Sequence, residues 1–156
     1  YLFHEESRNI DAGRYSLQCG RRNDALKLWL AWRECGDAGW AALVDDYMDL
    51  AKHLESRILA HDDLQLMSSR MWTNVCFRFS PKDYPGDLNE LNSEIRRRMM
   101  QNGNFMVSRS NIGEDVIFRA VISNPKISTH TLDSLLEELT LLFSEVVRGL
   151  PSEHSF

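Results

Sequence analysis

Arg119 occupies a place where a charge needs a reason. The run over residues 116–123 alternates as a strand does, with Ile117, Arg119 and Val121 on one face and Val116, Phe118, Ala120 and Ile122 on the other. A permanent cation with a planar fork of donors, suited to a carboxylate, therefore stands between two β-branched apolar neighbours. Taking a guanidinium out of water costs free energy unless an anion pairs with it. The pattern leaves two readings open. One is an edge-strand charge or internal ion pair; the other is a site for the anionic group of a ligand. Arg96, Arg97 and Arg98 form a second basic feature, read as the solvated face of a helix. The three cysteines, Cys19, Cys35 and Cys76, lack C-x-x-C or other metal-ligand spacing. They read as reduced thiols, with Cys76 a small core residue, and no zinc or other metal site is expected.

The elements that hold these residues show in the hydrophobic periods. Residues 4–16 are polar, carry Gly13 and read as a loop. Over 24–34 the chain is apolar almost all round, as in a buried helix, and Gly36 stops it. Asp37 can cap a second helix near Gly39, with Trp40, Leu43, Tyr47, Leu54 and Ile58 at helical spacing. Leu64 and Leu66 mark a short strand. Residues 73–79 alternate clearly, Val75, Phe77 and Phe79 against Asn74, Cys76 and Arg78. Ser80-Pro81 ends that strand and Tyr84-Pro85-Gly86 turns the chain. Asp87 caps a third helix with the stripe Leu88, Leu91, Ile95 and Met99, closed by Gly103. Two strands, 105–108 and 116–123, flank a turn at 111–114, and Asn124-Pro125 breaks the second. A last amphipathic helix covers about 129–148, with Leu132, Leu135, Leu136, Leu139 and Leu142 on its apolar face.

Two leading helices followed by a β-β-α-β-β-α order predict an α+β fold: a small, mostly antiparallel sheet covered on one face by two helices. The divisions expected are 1–23 as loop and connecting segment, 24–60 as linking helices, 61–150 as the α+β domain, and 151–156 as a frayed tail. At 156 residues the chain is long enough for one domain with a real core. A content of 43% hydrophobic and 26% charged residues fits a soluble globular protein. A net charge of −5 argues against a nucleic-acid partner. No apolar run nears the ~18 residues that would cross a bilayer, so no membrane partner is expected. With no signal peptide at the start, a cytoplasmic location is the default. The first residue is Tyr1 rather than Met, which leads us to expect a fragment, a processed chain or a natural short product.

Four stretches then add a resemblance. They are Tyr1-Leu2-Phe3; Gln18-Cys19-Gly20-Arg21-Arg22 running into Lys27-Leu28-Trp29-Leu30; Asn74-Val75-Cys76-Phe77; and Phe118-Arg119-Ala120-Val121-Ile122-Ser123-Asn124-Pro125. Together and in this order they resemble the C-terminal portion of group II pyridoxal-phosphate-dependent amino-acid decarboxylases, the glutamate and cysteine-sulfinate branch in particular. The resemblance implies a fold-type I enzyme, with a large cofactor domain upstream and the small C-terminal domain here. It also implies a homodimer with active sites at the subunit interface. In such enzymes a lysine in a His-Lys motif holds pyridoxal phosphate covalently, and the ring draws off the electron pair left when carbon dioxide departs. None of the four lysines here, Lys27, Lys52, Lys82 and Lys126, follows a histidine. The anchoring lysine is therefore expected upstream, and the chain alone is expected to be inactive.

Arg119 matches the arginine that in this family binds the substrate α-carboxylate, a grip that helps orient the breaking bond. The turn Gln18-Cys19-Gly20 matches a region near the partner subunit's cofactor phosphate, where Gly20 allows close backbone approach; a plain structural turn is the competing reading. Residues 4–11 match a mobile active-site loop that closes over substrate. Relatives often carry a tyrosine there, proposed to return a proton to the substrate. This loop is shorter and has no tyrosine before Tyr15, so the donor is left open, with His4 one candidate. Val107-Ser108-Arg109-Ser110 stands where animal relatives show Gly-Tyr-Gln-Pro, and Arg109 reads either as a second anion contact or as a surface residue. Two alternatives stay beside the decarboxylase: another fold-type I enzyme such as an aminotransferase, and a non-catalytic dimerisation or regulatory module. An acidic amino acid as substrate rests on analogy, and its identity is not legible. Trp29 and Trp32 are expected to pack on a domain outside this sequence.

Overall fold

The structure is a computed structural model, and it describes residues 23–149. Gln18, Cys19, Gly20, the loop at 4–11 and the tail from 151 lie outside the described residues. The chain divides into two compact units, Tyr1–Ala41 and Ala42–Phe156.

In the first unit the described residues form the start of α1 (Asp24–Leu59). Asn23 opens it, its side-chain oxygen accepting from the Leu26 N–H at 3.3 Å. The break expected at Gly36 is present inside the helix, where Gly36 sits at φ 64° and ψ 177°. That region is essentially closed to residues with a side chain, so glycine is what lets the chain bend there. Trp32 spans the break: its ring stacks on Trp40 at 5.5 Å and its Nε1 donates to Asp37 at 2.6 Å. The described residues do not bury this segment, whose covering was expected from a domain outside this sequence. Leu26, Leu28, Trp29, Leu30 and Trp32 are 46–57% exposed. Apolar residues all round a helix are buried only where something surrounds them, and these keep about half their surface open.

In the second unit the rest of α1 supplies Ala51, Leu54 and Ile58 to the core. There follow β1 (Leu64–Leu66), β2 (Asn74–Phe79), α2 (Leu88–Asn102), β3 (Ser108–Ile112), β4 (Asp115–Val121) and α3 (Thr129–Gly149). The strands form one antiparallel sheet in the order β1-β2-β4-β3. Alternation directs Val75, Phe77 and Phe79 of β2 and Phe118 and Ala120 of β4 to one face, where Phe77 and Phe118 meet at 5.5 Å. Leu91, Ile95 and Met99 of α2 and Leu132, Leu135, Leu139 and Leu142 of α3 join them in one buried cluster. Phe79 stacks on Phe143 of α3 at 4.9 Å. Burying each such phenylalanine is worth roughly 2 kcal/mol. The expected α+β architecture is therefore present.

The strand expected at 105–108 is displaced. The sheet takes Ser108–Ile112 instead, and the turn shrinks to Gly113-Glu114 between the paired Ile112 and Asp115. This polar stretch lies at the edge of the sheet, paired through its backbone, so it needs no apolar period. Phe105 and Val107 pack against the core from the segment before the strand.

Asp87 caps α2 as expected, accepting from the Asn89 N–H at 2.6 Å. Gly103 closes it at φ 76°, its N–H donating to Met99 O at 3.2 Å. A Cβ built at Gly103 meets nothing within 4 Å, so steric crowding does not enter. Gly103→Ala is therefore expected to cost only the left-handed backbone penalty, about 1 kcal/mol, read as a lower midpoint in urea with unchanged slope. Asp133 ties α3 to α1, accepting from His53 Nε2 and Arg57 Nε, each at 3.0 Å. The bond to His53 holds the Asp133 carboxyl below the usual carboxylate range. Among the described residues no helix is long and apolar enough to cross a membrane.

Candidate functional site

Arg119 lies in β4 between Cys76 of β2 and Ser108 of β3, which are its register partners. Its strand is interior to the sheet, so the edge-strand reading does not hold. Its side chain is directed to the face opposite Phe118 and Ala120, away from α2 and α3. Alternation places Asn74, Cys76 and Arg78 of β2 and Asp115, Ile117 and Val121 of β4 on that same face. Ile117 is buried, whereas Arg119 and Val121 are exposed. The desolvation cost expected of an arginine inside an apolar stripe is thus not incurred.

The two arginines of this face differ in their partners. Arg78 donates from Nη1 to Asp115 Oδ1 at 2.6 Å and from Nε to Gln65 Oε1 at 3.3 Å, with its side chain 13% exposed. It is a matched pair in which the arginine is largely buried and Asp115 is 45% exposed. Arg119 makes no ion pair and no side-chain hydrogen bond among the described residues. The internal ion pair is therefore not found there either. Arg119 and Ser108 also border a cleft of about 200 Å³ that reaches round to the helix side, where Phe105, Thr131, Leu132 and Leu135 line it. Ligand pockets usually start near 300 Å³, so this cleft by itself is smaller than a typical ligand site.

Arg109 is paired with Phe118 in the register, which places it on the helix-covered face of the sheet. Arg109 and Arg119 therefore lie on opposite faces, and Arg109 is not a second contact to an anion held by Arg119. Of the three consecutive arginines, only Arg97 is fully part of an exposed surface. Arg96 donates from Nε to Val107 O at 3.2 Å and from Nη1 to Met100 Sδ at 2.7 Å. Arg97 makes two bonds to Glu94, each at 2.6 Å, and Arg98 a third at 2.9 Å. The bonds from Arg97, then Arg98, hold the Glu94 carboxyl at about 2 instead of its usual 4.5. A depressed folded-state value means the stabilisation is full above the usual value and is lost as pH falls towards 2. Carbon-detected titration is expected to show Glu94 still ionised at pH 3, and Arg97→Gln with Arg98→Gln to return it towards 4.5.

Cys76 is buried, as expected, and Cys35 is exposed. The lysines bear on cofactor binding. Lys27 and Lys52 pair with Asp24 and Asp49, with side chains 63% and 60% exposed, and Lys82 and Lys126 are also exposed. None is a desolvated amine facing a pocket, the setting in which a lysine becomes a nucleophile. The described residues therefore do not fit the covalent seat of a pyridoxal cofactor. One residue that organises this unit carried no expectation: Asn92, buried within the apolar stripe of α2. It lies four residues after Leu88, where the helical period calls for an apolar side chain, and that mismatch was the available signal.

The described residues thus form an α+β unit whose interior strand carries, on its helix-free face, an arginine with no ion-pair partner among them. The model of the pyridoxal-dependent decarboxylase conserved domain matches residues 1–80. The chain belongs to the pyridoxal-dependent decarboxylase family, whose cofactor is pyridoxal phosphate. It is 32% identical over 155 residues to cysteine sulfinic acid decarboxylase of Mus musculus, covering 91% of this chain and 31% of that protein. It is 30% identical to acidic amino acid decarboxylase GADL1 of Bos taurus, covering 91% of this chain and 30% of that protein. The crystal structure of mouse CSAD in apo form matches with a TM-score of 0.75 at 33% identity, over 85% of this chain and 30% of that one. The α+β fold is thus that of the small domain of these fold-type I enzymes. The chain spans about 31% of the length of the curated relatives it matches.

Proposed function

We propose that this chain serves within a pyridoxal-phosphate-dependent carboxy-lyase that removes the α-carboxylate of an acidic L-amino acid, with Arg119 holding that carboxylate. The observation that carries the reading is the contrast on one sheet face. Arg78 is matched by Asp115, while Arg119 is exposed on an interior strand with no anion beside it among the described residues. A guanidinium presents two parallel N–H donors to a carboxylate, which fixes both the distance and the plane of the group. Held so, the bond to be broken keeps one orientation relative to the rest of the substrate. Ser108 beside Arg119 adds a neutral hydroxyl, and Phe105 and Met106 add apolar walls that limit water at the cleft.

The acidic class of substrate is supported by the names of the two relatives, one acting on cysteine sulfinic acid and one on acidic amino acids. The cofactor's lysine and the rest of the pocket are contributed from outside the described residues, by an upstream domain or by the second subunit of a homodimer. Gln18, Cys19 and Gly20 are proposed to lie near the cofactor phosphate of that second subunit.

The test is carbon dioxide release by the complete protein that carries this chain, loaded with pyridoxal phosphate and offered glutamate, aspartate and cysteine sulfinate. Turnover of one of these, with most of it lost in Arg119→Met while cofactor absorbance persists, supports the reading. Release from none of them removes it and leaves a non-catalytic dimerisation module in its place.

A further inference from the structure

The basic residues that the decarboxylase reading does not use converge elsewhere. In α2 the residues Ser93, Arg96, Arg97, Met100 and Gln101 recur at helical spacing, and Arg109 reaches the same side from the edge strand β3. Together these six residues line a cleft of about 470 Å³, and none of them is acidic. In a chain of net charge −5, that concentration of cations is against the trend of the surface. From it we infer that the cleft between α2 and β3 is a binding site for a small, multiply charged phosphate-type anion, separate from the Arg119 face.

The charge balance favours this ligand. Arg97 and Arg98 share the single carboxylate of Glu94, and the contact of Arg98 with Glu145 is long, at 3.8 Å. Arg96 and Arg109 have no carboxylate partner among the described residues. Arg96 is nonetheless held in place, because its two bonds run to neutral acceptors, Val107 O and Met100 Sδ. Such a guanidinium keeps its full charge and loses little further freedom when an anion arrives. Arg109 is the counterpart across the cleft. A charge directed to the helix side of an edge strand also discourages edge pairing, but that role needs no other arginine nearby.

The class of anion follows from screening and size. An exposed pair of one carboxylate and one guanidinium is worth only about 0–1 kcal/mol in water, so a single carboxylate would gain little here. A phosphate group carries up to about two charges and three acceptor oxygens, and guanidinium forks match it. Arg96 on α2 and Arg109 on β3 line different sides of the cleft, and two linked phosphates offer an anionic group to each. Gln101 and Ser93 supply neutral donors at its rim.

Inorganic pyrophosphate is the probe, titrated calorimetrically into the complete protein already loaded with pyridoxal phosphate, so that the cofactor site is filled. Wild type is expected to bind pyrophosphate more tightly than orthophosphate, and to lose affinity as salt rises. Arg96→Gln and Arg109→Gln are each expected to weaken binding by about tenfold, the worth of one charge-assisted bond. Lys82→Gln, which removes an equal charge from a remote loop, is expected to change it by less than about twofold, as an exposed distant charge does. Should Arg96→Gln fail to fold, Arg109→Gln decides, since the Arg109 side chain is exposed and holds nothing else among the described residues. No binding to wild type, or equal loss in Lys82→Gln, would overturn the inference. Retention on vesicles bearing phosphomonoester headgroups without binding of free pyrophosphate would overturn it too, because the ligand would then be a lipid surface.

Discussion

Asn92→Leu is expected to destabilise the protein by about 3 kcal/mol, although it replaces a polar residue in a core by an apolar one of similar size. The side chain of Asn92 is fully buried. Its Oδ1 accepts from the Phe79 N–H at 2.8 Å, and its Nδ2 donates to Phe79 O at 2.9 Å and to Leu88 O at 2.7 Å. One carboxamide therefore closes both main-chain groups at the end of β2, just where Ser80-Pro81 takes the chain out of the sheet. Leucine would fill the space and strand both groups of Phe79 away from water. A buried backbone group left unpaired costs about 1–3 kcal/mol, and two of them outweigh the apolar gain. The measurement is the denaturation midpoint together with hydrogen exchange at the Phe79 amide. Exchange there should accelerate ahead of the amides in the middle of β2. A loss under about 1 kcal/mol, with Phe79 still protected, would mean that the strand end finds other partners.

What sequence made legible here was whatever local rules decide. The stripe of α2 and its ends at Asp87 and Gly103, the alternation of β2, and the long apolar face of α3 all depend on neighbours within a turn or two. Each appears where expected. The misses share the opposite property. Ser108–Ile112 is a strand because β4 pairs with it, and its own residues carry no period. Whether β4 lay at an edge depended on the order β1-β2-β4-β3, which joins strands distant in the chain. Leu28, Trp29 and Trp32, by contrast, stay about half exposed, in keeping with the expectation that they pack on a domain outside this sequence.

The candidate site divides along the same line. That Arg119 shares a face with Ile117 and Val121 was legible from alternation alone. That its other-strand neighbours are Cys76 and Ser108, and that Arg109 faces the other way, required the register. A one-residue difference in register reverses a side chain's face, so the two arginines that look adjacent in a β-hairpin serve different surfaces. The same register separates the anion cleft beside α2 from the face that carries Arg119.

If Arg119 grips the substrate carboxylate, its replacement should be felt in a way that charge alone does not repair. Arg119→Met keeps much of the aliphatic stem and removes the fork, so kcat/KM of the complete protein is expected to fall by about 100-fold or more, equivalent to some 3 kcal/mol. Arg119→Lys restores the charge as a point, without the planar pair of donors. It is expected to recover KM to within about fivefold of wild type but to leave kcat at least about tenfold low, because attraction returns while the fixed orientation does not. Arg119 is exposed and joins no other side chain among the described residues, so neither variant should shift the thermal midpoint by more than a degree or two, as for ordinary surface substitutions. That separates a role in positioning substrate from a role in holding the sheet together. Equal and nearly full activity in both variants would mean that the carboxylate is held elsewhere, and Arg119 would then be a solvated cation on an interior strand. A fall in kcat/KM carried entirely by KM would keep the contact but assign it to binding alone, with orientation of the breaking bond set by other groups.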